Sequence, residues 1–328
     1  MAKVTLQVIA TETGLSKFAV SRALAGKEGV SAETRDRVIA AAERLGYRRT
    51  SDSAAIVLAA IFNADDHING EQHMQIQGGL QSEALKCDCA VRMHWSRGVE
   101  DLDRAIAGVD AIFAVNLSDS ASLSLLELSG KPMLRSGWVS PIEPVSTISG
   151  TDHEAGSAVA AYLLNLGHRE IVYVHGDADL RGRRERLYGL REVVEDTQGA
   201  RFYDVSWNGS STFSSRLDDI LASGARPTAF FCAHDGLAIT AVSDLLSRGW
   251  QIPHDASIIG FGDFSAAQQI RPALTTVKVH GHRMGRTALR HLVTRLRTPD
   301  WPDYPVRLQI PNTIIARSST GPAPDPRS

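Results

Sequence analysis

The chain has 328 residues, 43% of them hydrophobic, and a formal charge of −2. That length predicts two or three domains with sizeable cores. No apolar run approaches the roughly 20 residues of a membrane span, and the first residues lack the apolar core of a secretory leader, so a cytoplasmic protein with no membrane partner is expected.

The charge is unevenly spread. Residues 1–50 hold nine Lys and Arg against five Asp and Glu, while the other 278 hold 26 against 32. A basic head on an acidic body suits a head that meets phosphate and a body that does not. Three cysteines, Cys87, Cys89 and Cys232, do not make a disulfide framework.

Leu6 to Leu24 reads as two short helices broken at Gly14-Leu15-Ser16, and Ser31 to Gly46 reads as a third. This is the layout of a helix-turn-helix DNA reader. Gly14 suits the left-handed residue that ends the first helix, and Ser16 suits the N-cap of the second. On a helical wheel Lys17, Phe18, Ser21 and Arg22 share one arc of roughly 140°. Ala19, Val20, Ala23 and Leu24 fill the opposite arc, which should pack on Ile9, Ala10 and the third helix. Val38, Ile39, Ala42 and Leu45 read as the apolar stripe of that third helix. An arginine can bond two acceptors on a guanine edge, and a ring can lie on a thymine methyl. Lys17, Phe18 and Arg22 are therefore the expected base contacts. Thr5, Ser16, Ser21, Ser31 and Thr34 are the expected phosphate contacts, through hydroxyls and helix N-termini. The plainer alternative is a solvated basic face.

Past Ser53 the pattern changes to apolar strands alternating with helices. Strands are expected at Ala55 to Phe62, Ala90 to His94, Ala111 to Val115 and Pro132 to Leu134, with helices at Glu71 to Lys86 and Glu100 to Ala107. From Gly150 the alternation restarts. Helices are expected at Glu154 to Leu166, Arg183 to Glu195, Phe213 to Ala222 and Leu237 to Arg248. Strands are expected at Ile171 to His175, Arg201 to Val205, Thr228 to Cys232 and Ser257 to Phe261. Two consecutive series of this kind predict an α/β body of two parallel sheets, each covered by helices. A ligand site belongs between the lobes, at strand C-termini.

Motifs for chemistry are sparse. There is no G-x-S-x-G elbow, no H-E-x-x-H and no Walker loop. His280-Gly281-His282 and Cys87-Asp88-Cys89 are too small and isolated for a metal centre. No enzyme, cofactor or metal is expected.

Several segments together resemble one family. Val4-Thr5-Leu6, Gly14-Leu15-Ser16, Val20-Ser21-Arg22, Val30-Ser31, Thr34-Arg35 and Ala40 to Tyr47 look like the headpiece of the lactose-repressor (LacI/GalR) family. Leu166 to Arg169, Arg186 to Gly189, Ala233-His234-Asp235, Ile258 to Phe261, Pro272 to Val277 and Ala316 to Thr320 resemble its recurring body blocks. The resemblance implies a three-helix headpiece and a two-lobed body similar to periplasmic sugar-binding proteins, with three crossings between lobes. By that analogy the headpiece is 1–49, a short linker 50–54 and the body 55–320. The first lobe is about 55–149 and 280–305, the second about 150–279 and 306–320. The Pro- and Gly-containing tail 321–328 is expected to be disordered.

The resemblance also implies a function. Family members place two heads on a near-palindromic site, because one head buries little surface. A homodimeric regulator of double-stranded operator DNA is expected, a repressor controlled by a small-molecule effector and associated with the nucleoid when bound. The alternative is a ligand-binding sensor whose head no longer reads DNA specifically. Arg186 matches an effector-contacting arginine, and Trp207 an aromatic position that can stack on a sugar. Trp138, His234, Asp235 and Asp263 complete the expected effector site. Polar or acidic family positions appear here as Gly137, His234 and Gly262. Arg186 favours a carboxylate, a phosphate or dense hydroxyls, so an acidic sugar derivative is expected first and an ordinary sugar second.

One departure affects the linker. Family members carry a hinge helix whose leucine wedges into the minor groove. Here that region is Thr50 to Val57, with Ile56 at the wedge position. The same stretch overlaps the first core strand, so the strand is expected and the hinge helix is expected to be missing.

Overall fold

The computed structural model describes residues 5–24, 30–45, 56–137, 139, 142–176, 180–207 and 213–325. It contains two compact units, Met1–Ala55 and Ile56–Ser328.

Among its described residues the first unit holds three helices, α1 (Leu6–Thr13), α2 (Lys17–Leu24) and α3 (Ala32–Arg44). Gly14 ends α1 at φ 67°, in the left-handed region a residue with a Cβ avoids. Ser16 Oγ accepts the Ala19 N–H at 3.1 Å and caps α2, and Ser31 Oγ accepts the Thr34 N–H at 3.2 Å and caps α3. Ile9, Ala10, Val20, Ala23, Val38 and Ala42 form the core. Ile39 is exposed and Ala41 is buried, so Ala41 replaces Ile39 in the stripe of α3, while Val38, Ala42 and Leu45 pack as expected. Gly46 and the linker 50–54 lie outside the described residues.

The second unit begins with β1 (Ile56–Asn63), α4 (Gly70–Cys87), β2 (Cys89–Ser96), α5 (Leu102–Ile106), β3 (Ala111–Val115), α6 (Ser120–Leu128), β4 (Met133–Ser136) and β5 (Thr147–Gly150). It continues with α7 (Asp152–Asn165), β6 (Glu170–His175), α8 (Arg181–Glu195), β7 (Arg201–Ser206), α9 (Phe213–Ala222), β8 (Ala229–Cys232), α10 (Asp235–Ser247), β9 (Ser257–Gly262), α11 (Ser265–Gln269) and β10 (Thr275–Lys278). It ends with α12 (Gly281–Arg297), β11 (Arg307–Ile310) and β12 (Thr313–Ile315). The first sheet has the order β11-β5-β4-β3-β1-β2 and the second β12-β10-β9-β8-β6-β7. Among the described residues every pairing is parallel except β10 with β12, which closes the second sheet with an antiparallel edge.

Two boundaries differ from the sequence reading. The stretch from 306 was expected in the second lobe. Instead β11 pairs with β5 of the first sheet, Arg307 opposite Thr147, so the last crossing falls between Ile310 and Thr313. The tail was expected to be free from Gly321. Instead Gly321 N–H donates to Ser257 Oγ at 3.0 Å, and Ala323 N–H donates to Leu166 O at 2.8 Å. Buried His168 sits beneath it, its Nε2 3.1 Å from Gly321 O. Residues 326–328 lie outside the described residues.

Ile56 lies in β1 opposite Cys89 and packs, half-buried, against the main core. Ile56→Ala should therefore cost about 1–2 kcal/mol of body stability, less than full burial would give. Thermal melting of the full chain checks this. Unchanged melting with weakened operator binding would make Ile56 a wedge instead.

Candidate functional site

In the headpiece, α2 presents the face that the wheel predicted. Lys17, Phe18 and Ser21 are exposed, and the Phe18 ring is 72% exposed. Arg22 is half-buried, with its guanidinium 5.6 Å from the Phe18 ring centroid. The cation and the ring thus form one surface. Thr5 is the N-cap of α1, and its side chain makes no capping bond there. Ser16 caps α2, while the Ser31 hydroxyl also donates to Thr34 Oγ1 at 2.8 Å. These hydroxyls therefore lie at helix N-termini, where backbone N–H groups favour an anion.

In the body a cavity of about 450 Å³ opens between the two sheets. Arg186 of α8 lines its second-lobe wall. Its Nε donates to Asp152 Oδ1 at 2.7 Å, its Nη1 donates to Ala233 O, and its guanidinium lies 3.4 Å over the Phe261 ring. Arg181, also on the wall, pairs with Glu185 at 2.5 Å. On the first-lobe wall Asp66 accepts bonds from Asn69 and Asn116 and faces buried His73 at 3.3 Å. Burial alone would raise its pKa, but the bonds from His73, Asn69 and Asn116 outweigh that and hold it at about 2.

His234 also lines the cavity. Its Nδ1 accepts the Gly236 N–H at 3.0 Å, and its Nε2 donates to Ile68 O of the opposite lobe at 3.3 Å. The two bonds select the neutral ring protonated on Nε2. Burial pushes its pKa down to about 4.

The other expected effector residues are placed differently. Asp235 is buried and accepts from Thr276 Oγ1 at 2.5 Å and from Phe264 N at 2.8 Å. Burial raises its pKa. Asp263 points to Lys278 and Arg317, whose bonds outweigh burial and lower its pKa. Neither carboxylate borders the cavity; together they anchor the turn that carries Phe264, which does. Trp207 leans on Phe213, with ring centroids 6.1 Å apart, in the outer core of the second lobe, and it does not line the cavity. Trp138 lies outside the described residues.

Sequence reasoning missed Asp152, Phe261 and Phe264. Asp152 opens α7 two residues past the C-terminus of β5, and Phe261 sits near the C-terminal end of β9, both positions where an open α/β sheet gathers ligand contacts. Gly137 and Gly262 also border the cavity, at φ 97° and 132°. A Cβ at Gly262 would lie 3.0 Å from the Phe264 ring, so the glycine leaves the space that the ring occupies.

Comparison with known proteins identifies both domains. Residues 5–50 match the family described as "Bacterial regulatory proteins, lacI family", and residues 160–320 match "Periplasmic binding protein-like domain". The chain thus carries a LacI-family helix-turn-helix domain followed by a periplasmic-binding-protein-like domain. It is 28% identical to the HTH-type transcriptional repressor MelR of Bacillus subtilis, over 97% of this chain and 98% of that protein. Among solved structures it is similar to the transcriptional regulator CelR in complex with cellobiose, at 25% identity and TM-score 0.68, covering 96% of this chain and 99% of that one. It also shares the fold of the Lac repressor dimer bound to operator and the anti-inducer ONPF, at 23% identity and TM-score 0.69, covering 98% of this chain and 100% of that one. No described helix of this chain is long and apolar enough to cross a membrane.

The burial of His234 gives a pH dependence. Its folded pKa lies below the ordinary value of 6.5, so the folded state resists protonation. The stability linked to this ring is fully present above about pH 6.5 and is lost as pH falls towards about 4. His234→Asn should flatten that part of the melting-temperature profile, which thermal melts from pH 7 down to pH 4 would show.

Proposed function

We propose that this LacI-family regulator is a homodimeric repressor that binds a near-palindromic operator and responds to a neutral sugar held between its lobes. One observation carries the reading. An exposed aromatic ring and an arginine share the outer face of α2, in a head that matches the family, on a chain whose body holds a cavity lined by both polar and apolar groups. Two such heads are needed because one reads too few base pairs for a specific site. The protein acts in the cytoplasm, on the nucleoid when operator-bound, and it binds its effector without turnover.

The ion pairs favour a neutral ligand over an acidic one. Arg186 is held by Asp152 and Arg181 by Glu185, so an acidic ligand would have to displace a protein carboxylate. Sugar hydroxyls can share these groups, and Asn116, Ser136 and Ser149 add amide and hydroxyl partners. Cellobiose in the similar CelR complex supports a sugar as first choice.

Two measurements test the reading. Footprinting on genomic DNA should protect a near-palindrome. Arg22→Ala should cost about 1–3 kcal/mol on that site and relax its specificity. Equal weakening on all sequences would make Arg22 a phosphate contact, and no protected site at all would leave only a sensor.

A thermal-shift panel of mono- and disaccharides, cellobiose included, should find a ligand. At 100 times its Kd it should stabilise the body by about 2.7 kcal/mol. Arg186→Ala should abolish that increment over its own unliganded melting point, and an equal increment would remove Arg186 from the site.

A further inference from the structure

The turn from Gly262 to Ser265 joins the cavity to the opposite lobe. Gly262 and Asp263 both have positive φ, 132° and 56°. The turn is fixed from its own lobe by Asp235, which accepts the Phe264 N–H, and by the bonds of Lys278 and Arg317 to Asp263. It places the Phe264 ring against the cavity, edge-on to His234 at 5.2 Å between centroids. The next residue faces the other lobe. Ser265 N–H and Ser265 Oγ both donate to the Glu71 carboxylate, to Oε2 and Oε1, at 2.8 Å each. Glu71 is the second residue of α4, in the first lobe. The bond from His234 to Ile68 O crosses to that lobe three residues away.

We propose that Glu71 is a positioning residue of the cavity: its carboxylate clasps both donors of Ser265 and holds the Phe264 turn and the two lobes together before any ligand binds. A charged acceptor makes each bond stronger than one between neutral groups, and the paired geometry leaves the carboxylate one orientation. Asp235 and Asp263 keep the turn rigid, so strain at Ser265 is transmitted to Phe264 rather than absorbed in the backbone. The clasp therefore sets the fraction of molecules that are open to a ligand. An entering ligand works against it, and its apparent affinity scales with that open fraction. The meaning of this for regulation rests on the effector reading above; the clasp itself does not need a ligand to be tested.

Hydrogen–deuterium exchange on the full unliganded chain provides the test. In Glu71→Ala, the peptide covering 264–269, almost two hundred residues away in sequence, should exchange at least about tenfold faster, the loss expected for a bond to a charged acceptor. Peptides of α7 and α8 should be unchanged. Glu71→Gln, which keeps one acceptor oxygen, should fall between. Ser265→Pro removes both donors from the other side, and proline suits the first position of α11. It should raise the radius of gyration in solution scattering as much as Glu71→Ala does, and the double variant no further.

Unchanged exchange at 264–269 in Glu71→Ala overturns the proposal. So does faster exchange confined to α4, or additive expansion in the double variant. Failure of the effector reading shows separately, as a ligand-induced thermal shift that survives Arg186→Ala.

Discussion

The backbone contact between α7 and α8 is the constraint on which the cavity depends. A Cβ on Gly156 would lie 2.1 Å from Arg186 O, and one on Gly189 would lie 1.9 Å from His153 O. Both positions must be glycine for the helices to touch. Ser157 Oγ adds a bond to Gly189 O at 3.1 Å. This contact fixes the backbone of Arg186 against the first turns of α7, within reach of Asp152, Ala233 O and the face of Phe261. The first lobe repeats the device, with Gly79 against His282 O and Gly285 against Ile76 O, each at 2.1 Å. Contacts between backbones have no rotamers to exchange. Each cavity wall is therefore held more rigidly than long side chains would hold it, which suits a site that must keep several hydrogen bonds in register.

The same rigidity governs the charges. Desolvating an ion is costly unless it is paired and hydrogen-bonded. Asp152 serves Arg186, and Asn69, Asn116 and His73 surround Asp66. With these charges already matched, a ligand gains little by bringing another and more by offering hydroxyls that fit among fixed donors and acceptors. The sequence displays Arg186 but not its partner. For that reason an acidic sugar came first in the sequence reading and comes second once Asp152 is placed.

How far the sequence was legible follows the same lines. Clear apolar patterns marked some elements: the helical stripe of Phe213 to Ala222 has the bounds of α9, and the continuous apolar run Ala111 to Val115 has those of β3. Short elements such as β11 and β12 carry too few residues for a pattern, so the last crossing was misplaced by a strand. The tail was misread because its anchors, His168 and Ser257, are far away in sequence. Among the effector candidates, carboxylates at strand ends were plausible ligand groups. Whether such a carboxylate turns outward or inward depends on Thr276, Lys278 and Arg317, which no local pattern connects to Asp235 or Asp263. Trp207 failed for a related reason: an aromatic residue at a strand end can satisfy either a cavity or a neighbouring core, and here Phe213 takes it.

The headpiece was more legible because it has fewer ways to hide a side chain. Short helices enclose a single small core, so the residues of α2 opposite the arc of Val20, Ala23 and Leu24 must face outward. Phe18 is outward for this reason, and its exposed ring forgoes the stabilisation that burial would bring, roughly 1.5–3 kcal/mol for a side chain of that size. A partner surface can recover that. Arg22 beside the ring makes the partner's chemistry specific, because a guanidinium asks for paired acceptors while the ring asks for an apolar contact next to them. A DNA major groove offers both on adjacent bases, an acceptor pair on guanine and a methyl on thymine. A phosphate backbone offers only the first, so the exposed ring is what separates a base-reading face from a merely basic one.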